Sequence, residues 1–258
     1  MSKIVLVTIV HNRKHLVGQA IQSAVNQTLD KKYWVHLILD NASDDGADKV
    51  AEVFAKKYNH IHFVRMGTNK GQMPTYNFAL KWIEKNIPEA DVLVQLDSDD
   101  ILSVNALEEV RKKFDSNQSI GYTYSDFNII GPSGQLKHKR HSKAKQVDPK
   151  IELTDAGQKI LRTWEIKFNV IGHLRAMRIK ALQEIGGFDE SFLYATDVNM
   201  ACRMLSSKYK VAKIPKILYH WREHGKDQVQ GEKSAEQTRC WKELCAKYRK
   251  LWAEKGLI

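Results

Sequence analysis

The chain is short of cysteine, of long apolar runs and of repeats, and each shortage removes a class of protein. Only three cysteines, Cys202, Cys240 and Cys245, occur in 258 residues. Their odd number and their spacing fit neither a disulfide framework nor a metal knuckle, which points to a reducing, cytoplasmic setting. The apolar run Ile4 to Val10 is too short for a signal-peptide core and far below the roughly 20 residues that cross a bilayer. It reads instead as a buried strand. No internal repeat or low-complexity linker breaks the chain, so one catalytic-sized domain is the expectation. Excess acid is also missing: 41 Lys and Arg stand against 30 Asp and Glu, a net charge of +11. That balance favours an anionic partner, whether nucleic acid, acidic polymer, nucleotide or lipid headgroup. With 43% hydrophobic and 28% charged residues, the chain has the composition of a globular protein rather than a disordered one.

What is present is an alternation. Lys3 to Val10, Val35 to Leu39, His62 to Arg65 and Asp91 to Leu96 read as strands. Helical periodicity follows the first three, through Leu16 to Val25, Ala47 to Tyr58 and Pro74 to Lys85. Short apolar strands between amphipathic helices predict an α/β fold with a mostly parallel sheet covered on both faces, its sites gathered at the carboxyl ends of the strands. A polar cluster stands at each of those ends: His11-Asn12-Arg13, Asp40 to Gly46, Gly67 to Gly71 and Asp97-Ser98-Asp99-Asp100. Further on, Tyr122 to Asp126 reads as a strand, Gly131 to Gly134 as a turn and Leu136 to Gln146 as a basic loop. Residues 151 to 178 mix helix and strand signals. A helix is expected from Thr196 or Asp197, and another from about Glu232 to Glu254.

Three carboxylates in four residues repel one another, and a divalent cation relieves that cost. Oxygen ligands suit Mg²⁺ or Mn²⁺ with positions left open for diphosphate oxygens. A second reading makes Asp100 or Ser103 the N-cap of the helix carrying Leu107, Val110 and Phe114.

The ordered series Ile9-Val-His-Asn-Arg13, Ser23 to Thr28, Asp40 to Gly46, Asn69-Lys-Gly71 and Leu96 to Asp100 resembles the nucleotide-binding half of family 2 inverting glycosyltransferases. His173 to Arg178, Gly186 to Glu190, Ala195 to Met200 and Tyr219 to Gly225 resemble the acceptor half found in bacterial glycosaminoglycan polymerases. The resemblance implies a GT-A (Rossmann-like) fold. It places a catalytic domain over residues 1–228, with a nucleotide-sugar half (1–100) and an acceptor half (101–228), followed by a basic amphipathic helix over 229–258.

It also implies roles. Ile9, His11, Asn12, Asp40, Asn41, Asn69 and Gly71 would hold the uridine of a UDP-sugar, with Asp97 and Ser98 beside the ribose. Asp97, Asp99 and His224 would bind Mn²⁺ or Mg²⁺, His220 being the competing histidine and Asp100 a ligand or a support. Asp197 would be the base. Ile9 and His11 stand where the family commonly has proline and tyrosine, and Asn41 replaces an aspartate. Thr196 replaces an acid, which leaves Asp197 as the sole candidate. The implied reaction is a single in-line displacement, which needs one base opposite the leaving group and positive charge on the departing diphosphate.

The acceptor is left among a glycan (lipid-linked or anionic), a hydroxymethylated nucleic-acid base and a glycosylated peptide. A non-catalytic nucleotide- or glycan-binding module is the reading outside enzymes. The basic loop with Lys137, Lys139, Arg140, Lys143 and Lys145 either orders over an anionic ligand or is a solvated surface. The last helix aligns Trp241, Leu244, Cys245, Tyr248, Leu251 and Trp252. That stripe suits packing on its own domain, the inner face of a membrane, or a dimer contact.

Overall fold

The computed structural model describes residues 2–140, 147–224 and 235–258. Lys143, Lys145, Gly225 and residues 232–234 of the expected last helix lie outside the described residues.

The first half follows the alternation. β1 (Ile4–Val10), α1 (Lys14–Val25), β2 (Trp34–Asp40), α2 (Ala47–Lys57), β3 (Ile61–Arg65), α3 (Gln72–Asn86) and β4 (Val92–Gln95) succeed one another. Their strands lie parallel in the order β3-β2-β1-β4. The alternating Cβ directions of a strand divide β1 between two cores. Val5 and Val7 join one with Met73, Tyr76 and Ala79 of α3, while Ile4 and Leu6 join the other with Ala20 and Ala24 of α1. All four are fully buried, and each such side chain contributes about 1.5–3 kcal/mol. A strand this apolar on both faces is stable only at the centre of a covered sheet.

The second half holds β5 (Ile101–Leu102), α4 (Ala106–Ser116), β6 (Ile120–Ile130), β7 (Leu136–Arg140), α5 (Asp155–Phe168), β8 (Ala176–Arg178), α6 (Ile179–Glu184), α7 (Thr196–Leu205), β9 (Lys210–Arg222) and α8 (Ala235–Glu254). The same sheet continues from β4 through β8, β6 and β9 to β5. β8 runs antiparallel to β4 and β6, and β9 parallel to β6. The chain thus has the α/β architecture expected, with a parallel first half of the sheet and a mixed second half.

Two readings change, and a third that was left open is decided. Leu136 to Arg140 is not loop but a strand paired with β6, because alternating Leu136 and His138 permit an edge strand despite the charges. The helix-cap reading of the acidic cluster fails, since α4 starts after Asn105 without a side-chain cap and β5 intervenes. The apolar stripe of α8 is used internally: Leu244, Cys245, Tyr248 and Trp252 are buried. Tyr248 Oη donates to Asn199 Oδ1 (3.0 Å) and Trp252 Nε1 to Ser206 Oγ (2.7 Å). These four side chains of the stripe therefore pack on the chain's own domain. Among the described residues, no helix is long and apolar enough to cross a membrane.

Candidate active site

The carboxyl ends of β1, β2 and β4 and the start of α7 surround a cleft of about 390 Å³. Ile9, His11, Asn41, Asn69, Gly71, Asp97, Ser98, Asp99 and Asp197 all line it. Nine of the expected site residues, from positions 9 to 197, are thus brought to one cavity.

Asp40, Asn12 and His224 are not among the lining residues, His224 lying beside Asp99 of the lining. Asp40 is fully buried; its Oδ2 accepts from Ser43 N (3.2 Å) and lies 3.7 Å from Arg65 Nε. Asn12 adopts φ +52°, and its Oδ1 accepts from Asp44 N at 3.0 Å. Both shape the loops that carry the lining residues instead of reaching into the cleft. Asn41 uses both halves of its amide: Nδ2 donates to Asn69 Oδ1 (2.8 Å) and Oδ1 accepts from Lys70 N (2.9 Å). A carboxylate has no donor for the first bond, so asparagine at this position closes the β2 loop onto the 69–71 loop. His11 Nδ1 lies 3.0 Å from the Asn41 carbonyl on the same wall.

The acidic turn divides its labour. Asp97 and Asp99 face the cleft with partners of opposite charge. Arg175 Nη2 donates to Asp97 Oδ2 at 2.8 Å, while Asp99 Oδ2 lies 2.9 Å from His224 Nε2 and 3.5 Å from Arg13 Nε. Asp100 turns inward. It is 2% exposed, and it accepts from the Arg222 N–H (2.7 Å) and from Tyr219 Oη (2.8 Å). Burial, reinforced by Asp99 and Asp97, raises its pKa well above the usual carboxylate range. The same Tyr219 oxygen accepts from Asp97 N at 3.2 Å, so one hydroxyl joins both ends of the turn.

The two histidines separate clearly. His220 Nε2 lies 3.0 Å from Ser103 Oγ and its Nδ1 3.2 Å from Asn128 Nδ2, away from the cleft carboxylates. His224 is the one beside Asp99. The expected trio Asp97, Asp99 and His224 is nevertheless not one tight cluster. Among the described residues, the three-residue group with ligand atoms within 4.8 Å is Asp97, Asp100 and His173. Asp100 is occupied by its two donors, which leaves the Asp99–His224 pair as the carboxylate and imidazole best disposed to take a cation of the Mn²⁺ or Mg²⁺ type.

Asp197 reaches the cleft from the first turn of α7, where the helix dipole favours a negative charge. The turn before it is held on α3. Asn77 Nδ2 donates to the Phe188 carbonyl, and Phe188 N donates back to Asn77 Oδ1, both at 2.8 Å. Gly187 sits at φ +74°, and a Cβ there would meet Asn77 Oδ1 at 2.6 Å, so glycine is required. Asn199 then bridges Asp189 (2.9 Å) and Tyr248 (3.0 Å), tying α7 to α8.

Sequence reading singled out no role for Arg13, His173, Arg175 or Trp221, all of which line the cleft. His173 stacks on Tyr219 with ring centroids 5.0 Å apart. Their signal was present only as positions inside the quoted motifs. Arg175 follows Leu174, a fully buried residue at φ +52°, and such strain gathers at functional sites.

Residues 5–186 match the profile of Glycosyl transferase family 2. The chain is 27% identical over 155 residues to the Poly(ribitol-phosphate) beta-glucosyltransferase of Bacillus spizizenii, covering 60% of this chain and 23% of that protein. It therefore spans about a quarter of that relative's length. Among solved structures, S. aureus TarS in complex with UDP-GlcNAc superposes with a TM-score of 0.72 at 16% identity, over 95% of this chain and 66% of that one. Mannosyltransferase PcManGT from Pyrobaculum calidifontis, in complex with GDP-Man and Mn²⁺, gives 0.61 at 16% over 88% and 58%. At these identities the likeness is one of fold.

Proposed function

This chain belongs to glycosyl transferase family 2, and from that membership and the layout of its cleft we propose an inverting transfer of a sugar from a UDP-sugar to a hydroxyl of an anionic polymer. One observation supports the reading: Asp97 and Asp99 at the end of β4 and Asp197 at the start of α7, a hundred residues apart in sequence, line a single cavity. In-line displacement needs both within one cavity, a group that holds the leaving group and a base for the acceptor hydroxyl.

His11, Asn41, Asn69 and Gly71, with Ile9 and Ser98, enclose the nucleoside. Asp99 and His224 would hold Mn²⁺ or Mg²⁺, which would supply positive charge to the diphosphate. Arg175 orients Asp97 through its hydrogen bond to Oδ2. Asp197 takes the proton of the acceptor hydroxyl as the acceptor oxygen bonds to the anomeric carbon, and the bond from that carbon to the diphosphate oxygen breaks. An α-linked donor thus gives a β-linked product. The anionic acceptor is supported by the charge of +11 and by a relative whose name specifies poly(ribitol-phosphate).

The test is a donor panel with Mn²⁺ and poly(ribitol phosphate) or uronate oligosaccharides, using the wild type and Asp197→Asn. Transfer by the variant should fall at least about 10²-fold, the scale of a lost general base, while UDP binding stays within about two-fold. Near-normal turnover would remove Asp197 from the chemistry. If the wild type neither transfers nor slowly hydrolyses any donor, the chain is a binding module instead.

A further inference from the structure

Arg222 closes β9 two residues before His224, and its side chain is withdrawn completely from solvent. A buried guanidinium is costly unless its N–H groups find acceptors and its charge finds a counter-charge. Separate parts of the chain meet both needs. Nε donates to the Asp99 carbonyl (2.7 Å), Nη1 to the carbonyls of Pro132 (2.7 Å) and Gly131 (3.4 Å), and Nη2 to Gln19 Oε1 (2.9 Å). Its backbone N–H donates to Asp100 Oδ1 at 2.7 Å. Burial depresses the guanidinium pKa, and Asp100 and Asp99 oppose that effect. α1, the turn after β6, the acidic turn and the end of β9 therefore converge on one planar group.

That convergence has a directional consequence. The Asp99–Asp100 peptide is gripped from both sides, its carbonyl by Nε and the following carboxylate by the Arg222 backbone. With the peptide fixed, the Asp99 carboxylate is presented to His224 Nε2, 2.9 Å away, with Arg13 Nε 3.5 Å from the same oxygen. We propose that Arg222 is the positioning residue of the cation-binding pole, clamping the Asp99–Asp100 peptide so that the Asp99 carboxylate faces His224 before any ligand arrives. The proposal rests on the reading of Asp99 and His224 as ligands of a divalent cation. Lysine cannot replace the arginine, because one ammonium on a flexible stem does not reach acceptors in three directions at once.

Mn²⁺ binding, read from the electron paramagnetic resonance signal of free Mn²⁺ in the presence of UDP, tests this on the purified chain. Arg222→Lys should weaken Mn²⁺ affinity at least about ten-fold, with UDP binding in EDTA unchanged within about two-fold. Gln19→Ala, which removes one surface-exposed arm of the clamp, should weaken Mn²⁺ two- to three-fold and keep the wild-type melting temperature. A folded Arg222→Lys with wild-type Mn²⁺ affinity overturns the proposal. If that variant does not fold, unaltered Mn²⁺ affinity in Gln19→Ala overturns it. A wild type that binds no Mn²⁺ with UDP removes the ligand assignment itself and the clamp with it, an outcome distinct from equal binding by wild type and variant.

Discussion

At the scale of the residue, the acidic turn shows how one residue type takes different roles from its surroundings. Asp97 has a guanidinium, Asp99 an imidazole and Asp100 a backbone N–H and a phenol. A second buried acid, Glu165, makes a pH-dependent prediction. It is fully buried, and its Oε2 accepts from Val170 N (2.8 Å) and Ile171 N (2.9 Å), which starts the segment leading to Arg175. Burial first, and then the nearby Asp197, push its pKa from 4.5 up to about 8. An acid whose folded pKa is raised binds its proton more tightly in the folded state. Stability is therefore retained below the unfolded value and is lost as pH climbs from about 4.5 toward 8. Glu165→Gln keeps a carbonyl acceptor and removes the charge. Its melting temperature should match the wild type near pH 4.5 and exceed it by on the order of 5 °C at pH 9. A pH-independent difference between the two melting curves would contradict the assignment.

At the scale of the element, α8 shows why an amphipathic stripe does not announce its partner. Its periodicity suits a membrane, a second copy or its own domain equally, and only the apolar surfaces of α5 and α7 decide. Trp252 is packed on its own domain, being 0% accessible and bonded to Ser206. Trp252→Ala should cost about 3–5 kcal/mol, read as an earlier urea midpoint with unchanged slope. Stability within about 1 kcal/mol of wild type would mean that the helix is not docked in solution. β9 is the converse case. Its lysines and Pro215 disguise a strand of 13 residues, and the ladder to β6 steps from Ile214 to Ile217 at a register shift. A proline without an N–H is tolerated at such an irregularity.

At the scale of the molecule, the charge of +11 acts over distances that salt controls. Attraction of a polyanion weakens as the screening length falls from about 10 Å at 0.1 M toward 3 Å at 1 M. The KM for an anionic polymer acceptor should rise several-fold between 50 and 300 mM NaCl, while the KM for a neutral oligosaccharide stays nearly flat. Equal salt response of the two acceptors would detach the net charge from acceptor choice.

The parallel half of the sheet was legible because β1 to β4 are short, apolar and separated by helices of clear period, so local pattern and tertiary burial agree. The mixed half was not, because β8 and β9 gain their strand character from pairing with β6 across long sequence separations. The same division holds in the site. Residue order alone pointed to the family and to Asp97, Asp99 and Asp197, which the fold brings to one cleft, because motif spacing is a property of the linear chain. The three-dimensional fold alone turned Asp100 inward, withdrew Asp40 and Asn12 from the cleft, chose His224 over His220 beside Asp99, and brought Arg13, Arg175 and Arg222 to the acidic turn. Those outcomes depend on which face of a strand or loop a side chain leaves from, and that is decided only when distant elements pack.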